Sequence, residues 1–293
     1  MTDKLAEKFL EQQEDFAVCE SIIKHHSKSF YAAFSKLPEQ KAMSVYAIYA
    51  FCRQADDLID VEKAPEKLEE MRRQLEAFQN GDCPDEPMWR ALAVVFEHYP
   101  LNINYFYDML EGQRRDAYFK QPETQAELEE YSYYVAGSVG LMLLPILSQE
   151  WQSIVEEAKE LGKAMQITNI LRDIGEDAAE ARIYLPKEKM LAFGVTNEAI
   201  HAHQKTQAFI ALWEYEARRA EAAYEKSREM MPLIDEDCRG PLLAASYLYR
   251  EILNAVREND YQVFTRRHAV KASRKLIVFK EISSELKNIA TTS

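Results

Sequence analysis

Between Gln166 and Pro186 the chain reads QITNILRDIGEDAAEARIYLP, placing Gln166, Asn169, Asp173 and Asp177 at intervals of three, four and four. Only a helix makes neighbours of side chains so spaced, because each residue turns the chain by about 100°. Ile167, Ile170, Leu171 and Ile174 form a second stripe on the same helix, suited to packing. The stretch therefore demands a helix that is buried along one side and polar along a narrow line beside it. Tyr49, Arg53, Asp56, Asp57 and Asp60 make a comparable face further upstream, with Ile48, Phe51, Leu58 and Ile59 behind it.

The surrounding chain is written for helices too. Glycine (8) and proline (10) are scarce among 293 residues, and helix formers fill the intervals. Turn signals stand at Lys63–Pro65, Asn80–Gly81 and Gly194. Helices are expected at about 3–25, 38–61, 66–79, 88–98, 102–118, from Thr124, from 150, and at 196–204, 206–231, 241–257 and 269–287. Thr124 and Glu127 have capping-box spacing. Residues 182–186 read as an extended connection. Two glycines among small residues at 135–140 predict a kink, or a place where a ligand or another backbone comes close. With no fixed-period repeat and no long linker, one all-α domain over 1–293 is expected.

A net charge of −13 argues against nucleic acid as a partner, and against general adhesion to anionic lipid, although a local basic patch would still allow the latter. Cys19, Cys52, Cys83 and Cys238 lie far apart without metal-ligand spacing, so free thiols in a reducing compartment are expected. The N-terminus lacks a signal-like apolar core and no apolar run approaches a membrane span, which favours the cytoplasm.

Either acidic face taken alone reads equally as a solvated helix surface. The second resists that reading, because Asn and Asp are weak helix formers and like charges at this spacing repel. Short oxygen ligands on a rigid frame suit a hard divalent cation, which for magnesium keeps waters and accepts phosphate oxygens. Two such faces would bridge metal to a diphosphate, with Arg53, Arg172 and Arg182 beside it. Metal there would stabilise charge on a departing diphosphate. The histidines lack the Glu-x-x-His pattern of di-iron bundles, and neither a nucleophile elbow nor a Gly-rich phosphate loop is present.

HSKSF (His26–Phe30), YAFCRQADDLID (Tyr49–Asp60), YYVAGSVG (Tyr133–Gly140) and the stretch from Gln166 to Pro186 occur together in this order. In these pieces the chain resembles the squalene/phytoene synthases, head-to-head prenyl synthases with the all-α isoprenoid-synthase fold, a helical bundle around a central active-site cavity. The resemblance implies magnesium ligands at Asp56, Asp60, Asn169, Asp173 and Asp177, with Asp57 and Glu176 supporting them. It implies diphosphate or substrate contacts from Ser27, Lys28, Ser29, Phe30, Arg53, Val135, Gly140, Gln166, Arg172, Arg182, Tyr249 and Arg266. Tyr49, Tyr131 and Tyr184 would line the reaction centre, and His26 would orient the serine-lysine cluster.

By the same resemblance, two allylic prenyl diphosphates condense through a cyclopropylcarbinyl diphosphate with about two or three magnesium ions. The final cation loses a proton to give a central triene, or takes hydride from NADPH to give squalene. ADDLID, YAIYAFCR and VAGSVG look most like bacterial dehydrosqualene (4,4′-diapophytoene) synthases, which implies farnesyl diphosphate as substrate, no NADPH and no C-terminal membrane anchor. Phytoene synthesis from C20 chains is the alternative. A non-catalytic prenyl-lipid-binding or assembly protein is a further one, against which both acidic motifs stand complete. The greasy substrate and product imply transient peripheral membrane contact. Oligomeric state, pocket depth and the final proton acceptor are left open by the sequence.

Overall fold

The computed structural model describes residues 2–292, and among them every regular element is helical. The chain gathers into two compact units. One takes the chain up to Ala117 with Ser138–Val155 and Leu233–Ala245; the other takes Tyr118–Gly137, Glu156–Pro232 and the chain from Ser246 onward.

The first unit is organised on the Glu39–Asp60 helix, against which Gln13–His26, Pro65–Gln79, Pro87–His98, Ile103–Ala117 and Ser138–Leu147 pack. Its inward positions Ile48, Phe51 and Ala55 are fully buried, at the helical spacing that keeps them on one side. Phe51 meets Phe106 and Trp89 edge-on, with ring centroids 5.0 and 5.7 Å apart. Pro38 caps the helix, while Pro65 and Pro87 occupy first-turn positions where the missing N–H costs nothing. A half-buried ion pair that sequence does not suggest links two of these helices: Arg90 donates to both oxygens of Asp15, at 2.9 and 2.7 Å.

The second unit is built around the Val155–Ala179 helix, all but its first residue, together with Gln207–Ser227. Buried Trp213 donates its Nε1–H to the Leu171 carbonyl at 3.0 Å, and Thr168 and Tyr224 share a hydroxyl hydrogen bond at 3.1 Å. Thr124, Thr196 and Thr206 each cap a helix through the side chain. The Thr124 box is only half as expected: Thr124 accepts from the Glu127 N–H, but the Glu127 carboxylate accepts from Glu123 at 2.7 Å.

Three expectations need correcting. Lys187–Phe193 is a helix, capped by Pro186 and stopped by Gly194 at φ +70°, where glycine alone pays no steric penalty. The helix expected to start at Pro241 begins at Glu236 and contains the proline. The helix expected to run to Met231 ends at Ser227 and gives way to a 3-10 turn holding Pro232. No helix among the described residues is long and apolar enough to cross a membrane. Cys19, Cys52, Cys83 and Cys238 are free thiols.

Candidate active site

The first acidic motif lies in the first unit, on the last turns of Glu39–Asp60. Arg53 donates to Asp56 at 2.9 Å and also pairs with Asp57, the i+4 pairing that the helix predicts. Burial, and then the nearby Asp60 carboxylate, push the Asp56 carboxyl up to about 6 against the pull of Arg53. Asp57 and Asp116 add to that push. A carboxyl whose proton affinity is raised by the carboxylates around it marks a place short of positive charge.

Asp116 was not anticipated. It is buried near the end of Ile103–Ala117 and faces Asp56. The signal lay in the sequence as an aspartate after Arg114 and Arg115, but nothing local says which way its helix turns.

The HSKSF segment belongs to the same neighbourhood. His26 ends the Gln13–His26 helix, and its pKa is lowered by burial and then by Arg53, with Asp57 opposing. Ser27 accepts from the Phe30 N–H and caps the Lys28–Phe34 helix, which fixes Lys28 and Ser29 in its first turn. Phe30 stacks on Phe34 at 5.8 Å. Tyr49 lies close enough to Arg53 to favour its charge. Gly140 sits in Ser138–Leu147, also in this unit.

The second motif lies in the second unit. Asp173 receives a fork from Arg172, with Nε at 2.7 Å and Nη2 at 2.5 Å. Tyr249 lies against the same guanidinium, and burial raises the Tyr249 phenol pKa while Arg172 lowers it. Arg267 reaches Asp173 at 3.3 Å and approaches Glu176 at 3.7 Å. Arg267 was also missed; its expected neighbour Arg266 is exposed. Gln166 accepts a long 3.4 Å hydrogen bond from the Asn169 amide.

A glycine explains how Arg267 arrives. A Cβ on Gly175 would lie 2.3 Å from the Phe264 carbonyl oxygen, and the Gly175 N–H donates to Val263 at 3.2 Å. Only a bare backbone lets the 263–267 segment run this close to the helix bearing Asp173. A second close approach occurs where Tyr133–Gly137 forms a π-helical turn. There a Cβ on Gly162 would lie 2.4 Å from the Ala136 carbonyl, so the kink at the small-residue segment accommodates a neighbouring backbone.

Beside the polar stripe stands an aromatic wall. Tyr131 stacks on Tyr184 at 5.0 Å, and Phe119 meets Tyr184 edge-on at 5.0 Å. Leu128, Ile170 and Val135 complete this cluster. Asp177, Arg182 and Tyr184 line a cavity of about 10 Å³, room for roughly one water.

Two atoms bear on ligand binding. Asn169 Oδ1 is buried with no hydrogen-bond partner, and so is Arg53 Nε. An orphaned oxygen beside Asp173 suits a hard cation, and an orphaned guanidinium N–H suits an anion. Each motif by itself offers oxygen donors only, Asp56 and Asp60 in the first unit and Asn169, Asp173 and Asp177 in the second, which is the ligand chemistry that suits magnesium. A much larger groove of about 1330 Å³ in the first unit holds none of these residues. Asp235 and Asp237 of this groove, with the adjoining Cys238, have ligand atoms within 4.8 Å of one another. The Lys41 ammonium already sits among them, at 2.8, 2.9 and 3.2 Å.

The squalene/phytoene synthase family model matches residues 23–275, a span that includes every motif described above. A 4,4′-diapophytoene synthase of Staphylococcus haemolyticus is 36% identical over 265 residues, covering 88% of this chain and 93% of that protein. A 15-cis-phytoene synthase of Synechococcus elongatus is 35% identical over 279 residues, 90% of each. The crystal structure of a dehydrosqualene synthase superposes with a TM-score of 0.93 at 55% identity, covering 96% of this chain and 99% of that one. With that family model matched over residues 23–275 and relatives 36% and 35% identical over most of their own length, the chain belongs to the squalene/phytoene synthase family.

Proposed function

We propose that this protein is a magnesium-dependent dehydrosqualene synthase, a prenyltransferase acting as a single domain over 1–293. It joins two farnesyl diphosphates head to head, through a cyclopropylcarbinyl diphosphate, to the C30 triene and without NADPH. The observation that carries this is the 55% identity to a dehydrosqualene synthase over nearly the whole chain, against 35% to a phytoene synthase.

Asp56, Asp60, Asn169, Asp173 and Asp177 hold about two or three magnesium ions, which supply Lewis-acid stabilisation of the departing diphosphate. Arg53 and Arg172 turn from their carboxylates toward the diphosphate oxygens, a charge-assisted role suited to guanidinium. Arg182, Arg266, Lys28 and the Ser27 and Ser29 hydroxyls complete that grip, with His26 orienting the serine-lysine turn. Gln166 and Tyr249 position the groups beside Asn169 and Arg172. Tyr49, Tyr131 and Tyr184 present ring faces to the carbocations, a cation–π interaction, while Phe30, Val135 and Gly140 contact the prenyl chain. We add Arg267, which reaches Asp173, and Asp116, whose charge acts on Asp56, to this set.

Phytoene synthesis is the second reading, favoured by the Synechococcus relative. A competition assay separates the two. Equal C15 and C20 diphosphates with magnesium should yield the C30 triene as the main product; a predominance of C40 triene would transfer the protein to the second reading.

A further inference from the structure

We propose that the outer face of the Ala272–Thr292 helix is a docking surface for an anionic lipid bilayer. The inner face is well anchored: Val278 and Ile282 are buried, Arg274 donates to both oxygens of Glu251 at 2.6 and 2.9 Å, and Glu285 accepts from Arg228 and Tyr247. The opposite face holds Leu276, Ile277 and Phe279, which are 67%, 47% and 48% exposed. Three large apolar side chains open to water within one helical turn mark a surface that something covers.

The charge around them names the occupant. The protein carries −13 overall, yet no acidic residue occurs from Tyr261 to Lys280. That run contains Arg266, Arg267, Lys271, Arg274, Lys275 and Lys280. Lys275 and Lys280 flank the apolar trio, Lys287 continues the same face, and Glu281, the nearest carboxylate along the chain, is engaged by Arg274 at 3.4 Å. A protein groove that covered Leu276 and Phe279 would have to desolvate the lysines on either side of them. A bilayer does not: the apolar side chains enter the acyl boundary while lysine stems extend to anionic headgroups. A local basic patch on an acidic protein also fixes which side approaches the membrane, since the remainder is repelled.

The test uses the full chain and reads binding without turnover, so it stands apart from the condensation reading. Flotation is compared on phosphatidylcholine vesicles with and without about one-third phosphatidylglycerol. The wild type is expected to float with the anionic vesicles, to bind neutral ones at least about tenfold less, and to be released by about 0.5 M salt. Leu276→Ser with Phe279→Ser should lower the anionic partition at least about tenfold. Lys275→Gln with Lys280→Gln, which touches no partner inside the fold, should lower it roughly 25-fold. Unchanged melting curves would show that both variants keep the fold. Equal binding to both vesicle types, no binding to either, or wild-type binding by the lysine variant would overturn the proposal. So would a wild-type dimer that becomes monomeric on Leu276→Ser with Phe279→Ser while vesicles bind neither form, since the face would then belong to a second copy.

Discussion

Arg267 contacts Asp173 from ninety-four residues further along the chain, at 3.3 Å, and shares that carboxylate with Arg172, the residue next to it. Two guanidinium groups on one aspartate mimic the charge that a metal would bring there. Removing the aspartate's charge while keeping its shape should therefore spare the fold and harm the chemistry. Asp173→Asn is expected to lower kcat by roughly 100- to 1000-fold, the scale on which one preorganised electrostatic contact acts. Its circular-dichroism spectrum and cooperative unfolding should stay those of the wild type.

Gly175 is the hinge of that arrangement. Alanine would gain about 1 kcal/mol of helix propensity but would drive its Cβ to 2.3 Å from the Phe264 carbonyl. Overpacking typically costs about 1–3 kcal/mol, and a backbone carbonyl yields less readily than a side chain. Gly175→Ala should thus lower the urea midpoint. It should also raise KM for the prenyl diphosphate, because the segment carrying Arg267 is pushed off the helix.

The Tyr131–Tyr184 stack is a structural element as well as a proposed wall of the reaction centre. Tyr184 is buried and packs against Tyr131, Phe119 and Ile170. Tyr184→Ala should destabilise the protein by about 3–5 kcal/mol in urea unfolding, the cost of emptying a buried aromatic site.

A pH dependence follows from Gln125 and Glu216. The Gln125 amide nitrogen donates to one Glu216 oxygen at 3.1 Å, while the other Glu216 oxygen and the Gln125 amide oxygen are buried without a partner. Burial pushes the Glu216 carboxyl up to about 7; the Gln125 hydrogen bond and then Arg219 pull it down, Glu129 pushes it up, and Lys189 pulls it down. The folded state therefore holds this proton more tightly than the unfolded chain does. The stability it contributes is full below the ordinary carboxylate value of about 4.5 and is lost as pH rises through about 7. Glu216→Gln keeps a donor that the Gln125 oxygen can accept, so its melting temperature should fall less between those pH values than that of the wild type.

Elements that depend on neighbours in sequence were legible before the structure. The helix that carries the stripe from Gln166 to Asp177, the Thr124 cap and the helix that opens after Pro38 all follow from local spacing and backbone chemistry. What was missed depends on residues far apart. Asp116 joins the first motif only because its helix packs on Glu39–Asp60, and Arg267 reaches Asp173 only because Gly175 lets a distant segment approach. Proline was given too much weight at Pro241, where the helix already runs from Glu236. Glycine was given too little at Gly194, whose left-handed conformation ends a short helix rather than a loop.

If both acidic motifs serve magnesium-assisted loss of diphosphate in a head-to-head condensation, diphosphate and hydrocarbon must appear together and only with the metal. The most direct measurement follows diphosphate release and hydrocarbon together, from farnesyl diphosphate with and without magnesium. About two diphosphates per C30 triene are expected, none of either after chelation, and no change of product when NADPH is added. Diphosphate release that persists without a divalent metal, or the absence of any C30 product with it, would contradict the account.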